Sequence, residues 1–209
     1  MQQTEPLTCG DYYHIYNRGI DSCNLFPESD NYEYFLSLYD KYISPVANTF
    51  AWVLMPNHFH FLVRLKEEAE VAASTPDRVL NPVRGNASLQ FSKLFNSYAQ
   101  AFNKRNGRHG SLFERPFKRK LIDNEGYLKQ VILYIHNNSV HHGFCSHPME
   151  YPWSSYLSCV SVKPTKLNRE QVIGWFDNQA NFKYLHDQKV HIEQIERCLD
   201  IFLGDIFYP

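Results

Sequence analysis

Trp52–Val63 reads WVLMPNHFHFLV, and the fold turns on this stretch. Both of its ends are rich in aromatic and branched apolar residues, which suit a pleated, half-buried surface. Between them lies Pro56-Asn57, a turn pair in which Pro presets φ and Asn tolerates the tight conformation that follows. The reading is two strands, Thr49–Met55 and Phe59–Leu65, folded back on each other. Residues two apart on a strand share a face, so His58 and His60 project together while Phe59 enters the opposite layer.

Working outward, Tyr12–Arg18 (YYHIYNR) is a strand ended by Gly19. Asp30 caps a helix with Glu33 three residues on; Tyr34, Phe35, Leu38 and Tyr42 keep helical spacing up to Pro45. Residues 66–86 are polar, interrupted by Pro76, Pro82 and Gly85, and read as a loop. Ala87–Asn106 is a second helix with Leu89, Phe91, Leu94, Phe95, Tyr98 and Phe102 as its apolar stripe. Phe117–Ile122 is a fourth strand, with Lys118 and Lys120 on the face opposite Arg119. Asn124–Asn137 is a third helix, stopping near Asn138 and before Gly143. The order β-α-β-β-α-β-α predicts an α+β protein: a ferredoxin-like, antiparallel four-stranded sheet with two helices on one face, extended by a third. Beyond Pro148, EYPWSSYLSC is ordered by Trp153 and Tyr156 packing back on the core. A helical C-terminal extension, 158–209, follows, with helices at Gln171–Phe176 and Ile192–Phe202.

A chain of 209 residues, 44% apolar and 21% charged, suits one globular domain with a tail and excludes a disordered chain. Five cysteines (Cys9, Cys23, Cys145, Cys159, Cys198), odd in number and without a Cys-x-x-Cys pair, argue against a disulfide framework or zinc ribbon and for a reducing cytoplasm. Apolar runs are too short to span a membrane, and the N-terminus lacks the basic-then-apolar pattern of a leader. The net charge of −1 argues against a general nucleic-acid glue, but the average conceals a patch. Residues 93–120 carry eight Lys/Arg (Lys93, Lys104, Arg105, Arg108, Arg115, Lys118, Arg119, Lys120) against one acid, Glu114. Such a cluster is either a nucleic-acid footprint or a solvated basic helix end.

Two imidazoles on one strand face make an incomplete metal site, which needs a further protein donor. Alone, a His-x-His among ten histidines is more often a chance surface pair. On the third helix, Tyr134 and Asn138 are four residues apart, one turn and roughly 6 Å along the axis. A tyrosine hydroxyl can attack phosphorus, and an asparagine carbonyl oxygen can complete a His-His-Asn site for a hard divalent cation. Separately, Tyr134 reads as a core residue and Asn138 as a helix cap; together with the histidines and the basic segment they make one coherent mechanism.

The chain resembles the HUH single-strand DNA transposases, and more closely the REP-associated tyrosine transposases. The resemblance spans about residues 12–157 and rests on YHIYNRG (Tyr13–Gly19), WVLMPNHFHFLV, FKRKLI (Phe117–Ile122), YLKQVILYIHNNSVHHG (Tyr127–Gly143) and YPWSSY (Tyr151–Tyr156). It implies that residues 1–157 form a catalytic domain that binds Mg²⁺ or Mn²⁺ through His58, His60 and Asn138, with Tyr134 as nucleophile. Attack would leave a 5′-phosphotyrosine and a 3′-OH. Lys104, Arg105, Arg108, Arg115, Lys118, Arg119 and Lys120 would track the backbone of single-stranded or hairpin DNA, repetitive palindromic elements by this resemblance, in a cytoplasmic, nucleoid-associated monomer or homodimer. One departure is Ser139, where the family usually has Pro; with a backbone N–H there, the helix ends less abruptly.

Two other readings compete with a nicking and joining enzyme. One is a non-catalytic DNA- or RNA-hairpin binding module on the same scaffold. The other is a small-molecule metallohydrolase, which would want carboxylates beside the histidines; the strand that carries them has none.

Overall fold

In a computed structural model, residues 6–74 and 86–188 are described. Strands β1 (Tyr12–Arg18), β2 (Ala47–Met55), β3 (His58–Leu65) and β4 (Lys118–Ile122) form one sheet in the order β2-β3-β1-β4, every neighbouring pair antiparallel. Helix α1 (Ser29–Tyr42) joins β1 to β2; α2 (Glu68–Ser74) and α3 (Ala87–Arg105) lie between β3 and β4. Helix α4 (Glu125–His141) follows β4, and α5 (Tyr156–Val160), α6 (Arg169–Trp175) and α7 (Gln179–Asp187) make the C-terminal region. The expected α+β, ferredoxin-like sheet with a helical extension is the fold observed. No helix among the described residues is long and apolar enough to cross a membrane.

The period of two on each strand sorts the core into two layers. Tyr13, Ile15, Phe59, Phe61 and Val63 face α1 and α3, where they meet Phe35, Tyr39, Phe91, Leu94, Phe95 and Tyr98. Val53, Met55, Leu62 and Ile122 face the other way, toward Leu128, Val131, Ile132 and Ile135 of α4. Phe50 is the odd residue on β2: the pairing shifts between Thr49 and Ala51, so Phe50 and Ala51 both join the α4 layer. β1 is followed by Gly19, where a Cβ would come within 2.1 Å of the Cys23 carbonyl oxygen, so only glycine fits this close approach.

Four boundaries depart from the sequence reading. α1 is capped by Glu28, not Asp30: Asn31 Oδ1 accepts the Glu28 N–H at 3.0 Å while the Glu28 side chain accepts from the Asn31 backbone. The polar 66–86 segment is not all loop, since α2 starts beside an Arg64–Glu70 ion pair of 2.6 Å and Glu70 also accepts the Glu67 N–H. α4 runs through Asn138 to His141, because Ser139 keeps the N–H that a proline lacks. α7 has no counterpart in the sequence reading; its start is the Asn178 side chain accepting the Asn181 N–H at 2.9 Å. The Ile192–Phe202 helix lies outside the described residues.

The YPWSSY segment packs back as expected and covers the outer edge of β2. Trp153 stacks on Tyr32 at 4.4 Å, its carbonyl accepts the Leu54 N–H, and the Tyr151 hydroxyl donates to the Leu54 carbonyl. Here one hydrogen-bonded chain has a fixed direction. The Phe182 carbonyl can only accept, so His186 donates from Nδ1 (2.7 Å) and its Nε2 accepts from His136 Nδ1 (2.9 Å). His136 Nε2 then accepts from the Ser155 hydroxyl (2.8 Å), whose oxygen accepts the Trp52 N–H (2.8 Å). Burial pushes His136 well below the usual imidazole range and His186 down to about 4, so both are neutral.

The depressed folded-state value sets a pH window. The unfolded chain takes up a proton on His186 below about 6.5 while the folded chain does not, so stability is full above that pH and falls toward about pH 4. Urea unfolding followed from pH 7 to 4.5 should show this loss. His186→Leu should cost about 1–3 kcal/mol at pH 7 by stranding the His136 N–H, and should make the pH dependence shallower. An unchanged pH profile in that variant would contradict the assignment.

Candidate metal and nucleophile site

The histidine pair sits where the β2–β3 turn delivers it, on the face that α4 covers. In register, His58 lies opposite Arg18 and Met55, and His60 opposite Tyr16 and Val53. α4 packs chiefly on β2 and β3, which brings its C-terminal turns over this pair. His58 Nε2 lies 2.9 Å from Asn138 Oδ1. The Tyr134 ring stands edge-on to His60, centroids 5.2 Å apart at 85°, and is fully buried. The four residues singled out from the sequence thus meet in one place.

The donor set fits a divalent cation. His58 Nδ1 is 2.7 Å from Asn57 Oδ1, an oxygen that can only accept, so the single proton of the neutral ring sits there. Its Nε2 lone pair then faces the Asn138 oxygen, and two acceptors 2.9 Å apart repel unless a cation lies between them. Two ligands at about 2.1 Å and a right angle are about 3.0 Å apart, close to this distance. His60 Nε2 and Asn138 Nδ2 are buried without a hydrogen-bond partner. Among the described residues no three His, Cys, Asp or Glu side chains form a metal cluster, so a three-donor set here would draw on the Asn138 amide oxygen.

Every imidazole here is held neutral. Burial, then the neighbouring His142, pushes His58 down to about 3, against the opposing bond from Asn138. Burial and then His14 take His60 well below the usual range; burial takes His14 to about 3 and His142 to about 4. Neutral rings present lone pairs rather than protons, as ligation requires.

The sequence reading missed several neighbours. His14 Nε2 is 3.0 Å from His60 Nδ1, Tyr16 stacks on His14 at 4.8 Å, and His142 meets His58 at 5.2 Å. The signal for His14 and Tyr16 is the β1–β3 register, which no single strand carries. His142 could have been read from helical spacing, one turn beyond Asn138, had the helix been extended past it.

The basic set is split across the molecule. Lys118 and Lys120 lie cross-strand from Tyr16 and His14, on the histidine face, with the Lys118 ammonium 6.0 Å from the Tyr16 ring centroid. Arg119 points to the other face, over the Phe117 ring at 4.5 Å. Arg105 is engaged by Glu28 at 2.6 Å and Asp30 at 3.6 Å, so the structure does not bring it to the site. Arg108 donates to Asn103 at 3.3 Å; Lys104 and Arg115 are exposed.

No family model and no curated protein matches the chain. Among solved structures, a REP-associated tyrosine transposase bound to a REP hairpin is similar in fold: TM-score 0.57 and 14% identity, covering 78% of this chain and 88% of that one. At this identity the likeness is one of fold.

Proposed function

We propose that this protein is a metal-dependent enzyme that nicks and rejoins single-stranded or hairpin DNA through a tyrosine intermediate. The observation that carries the reading is the meeting of half-buried His58 with buried His60, Asn138 and the Tyr134 ring in one cluster. The fold it shares with a transposase that binds a REP hairpin supports a hairpin substrate.

His58, His60 and Asn138 would hold Mg²⁺ or Mn²⁺. When bound, the ion supplies Lewis-acid polarisation of the scissile phosphate. The residues do the rest. Tyr134 Oη forms the new O–P bond as the P–O3′ bond breaks, giving a 5′-phosphotyrosine; the tyrosine loses its proton and the departing 3′ oxygen gains one. Reversal by the same or another 3′-OH rejoins DNA without an external energy source, since the phosphodiester is conserved as an ester. Lys118 and Lys120 approach this face from β4, where they would pair with phosphates of the bound strand.

One observation favours the second reading, hairpin binding without cleavage: Tyr134 is fully buried. Attack therefore requires the residues over it to shift when DNA binds.

Labelled hairpin DNA, with and without EDTA, separates the two. Wild type should form a covalent adduct that EDTA suppresses; Tyr134→Phe should bind DNA and form none, and Tyr127→Phe should retain it. Binding without adduct would establish the second reading, and an adduct mapped to another residue would overturn the Tyr134 assignment. Mn²⁺ should raise the melting temperature of wild type but not of the His58→Ala/His60→Ala protein.

Charge placement gives an independent check. Replacing Lys118 and Lys120 by Gln should flatten the dependence of log K on log salt by about 0.7 for each phosphate that is no longer neutralised, while Arg105→Gln should leave the slope unchanged. Equal effects would mean that the histidine face is not where the strand runs.

A further inference from the structure

His14 is fully buried on β1, diagonal to His60, with the rings nearly parallel at 21° and 5.1 Å between centroids. Its Nε2 lies 3.0 Å from His60 Nδ1. Two neutral imidazoles share one proton across such a contact, and there are two ways to place it. If His14 donates, the proton of His60 sits on Nε2, where it blocks ligation. If His60 donates from Nδ1, its Nε2 is a bare lone pair, and that atom is buried with no other hydrogen-bond partner. His58 is arranged the same way, its Nδ1 proton taken by Asn57 Oδ1. In this second arrangement both histidines have a protein acceptor at Nδ1 and Nε2 left for a ligand, and the proton of His14 lies on its own Nδ1, which is also buried without a partner.

We propose that His14 is a positioning residue of the metal site: it accepts the Nδ1 proton of His60 and so fixes the ring and the tautomer that presents Nε2 to the cation. The inference rests on the metal-binding reading above. Outer partners of metal-bound histidines are commonly carboxylates or carbonyls. An imidazole acceptor orients the ligand without adding negative charge beside a phosphodiester, which a carboxylate would do. The buried position of His14, between Tyr16 and the edge of Tyr134, locks its own ring against rotation.

The test compares His14→Phe, which keeps a flat aromatic ring and removes the acceptor, with His14→Gln, whose side-chain oxygen can accept the same proton. Mn²⁺ binding is measured by calorimetry and melting temperature on the metal-free proteins. His14→Phe should weaken Mn²⁺ binding by about 10–100-fold in protein that is folded at the assay temperature, its metal-free melting temperature lowered by the stranded His60 N–H, and His14→Gln should recover most of the affinity. Wild-type affinity in a folded His14→Phe protein would overturn the proposal while leaving the metal site standing. Absence of Mn²⁺ binding by wild type would overturn the metal reading and this proposal with it. Wild-type protein offers a measurement that no variant's folding can spoil. Long-range ¹H–¹⁵N spectra in Mg²⁺ should show His60 protonated at Nδ1 and His14 bare at Nε2, and the reverse assignment would overturn the proposal.

Discussion

Everything on the histidine face depends on where α4 docks. Its apolar side, Leu128, Val131, Ile132 and Ile135, lies against the sheet over β2 and β3. Non-directional packing of this kind fixes the layer but tolerates sliding along the axis. The chain from Trp52 through Ser155, His136 and His186 to the Phe182 carbonyl removes that tolerance, because each link has one donor and one acceptor and all but the part-buried Trp52–Ser155 link are buried. His136 is two residues from both Tyr134 and Asn138, so this chain sets the height of both over the strand histidines.

The site that results holds little charge of its own. His14, His58, His60 and His142 are neutral, and Asn138 contributes a dipole. Positive charge comes instead from β4, whose alternation sends Lys118 and Lys120 to this face and Arg119 to the other. A chain with a net charge of −1 can therefore present a local cationic strip beside an uncharged histidine cluster. On the proposed function, that separation would suit a polyanion with one phosphate at the neutral donors and its flanking phosphates held nearby.

Much of this was legible in the sequence because it is periodic. Alternation in FHFLV and YYHIYNR gave the strands, and the same rule put His58 with His60 and split Arg119 from its neighbours. Helical spacing joined Tyr134 to Asn138. What was not legible depends on pairing between distant segments. The register that sets Tyr16 opposite His60 and brings His14 to its Nδ1 is a property of β1 and β3 together. The Phe50 bulge hides inside an unbroken apolar run, and Arg105 reads as a DNA-binding residue until α1 places Glu28 and Asp30 beside it. The extent of α4 hinged on one residue: Ser139 donates where proline cannot, and the added turn carries His142 to His58.

The same geometry constrains how a strand could reach Tyr134. The residue is buried between the sheet histidines and the body of α4, so access requires α4, or what lies over it, to move. If the helix moves as a unit, His136 moves with it and either draws α7 along through His186 or breaks a bond made by a buried neutral ring. Breaking it strands an N–H inside an apolar cluster that includes Phe176, Phe182 and Tyr156, a cost of about 1–3 kcal/mol. Moving α7 along disturbs its packing against the same rings but keeps the His136–His186 bond, while the His136–Ser155 bond, anchored to β2 through Trp52, breaks on either path. The less costly path therefore displaces α4 and α7 together, and on the proposed reading the C-terminal helices would take part in exposing Tyr134.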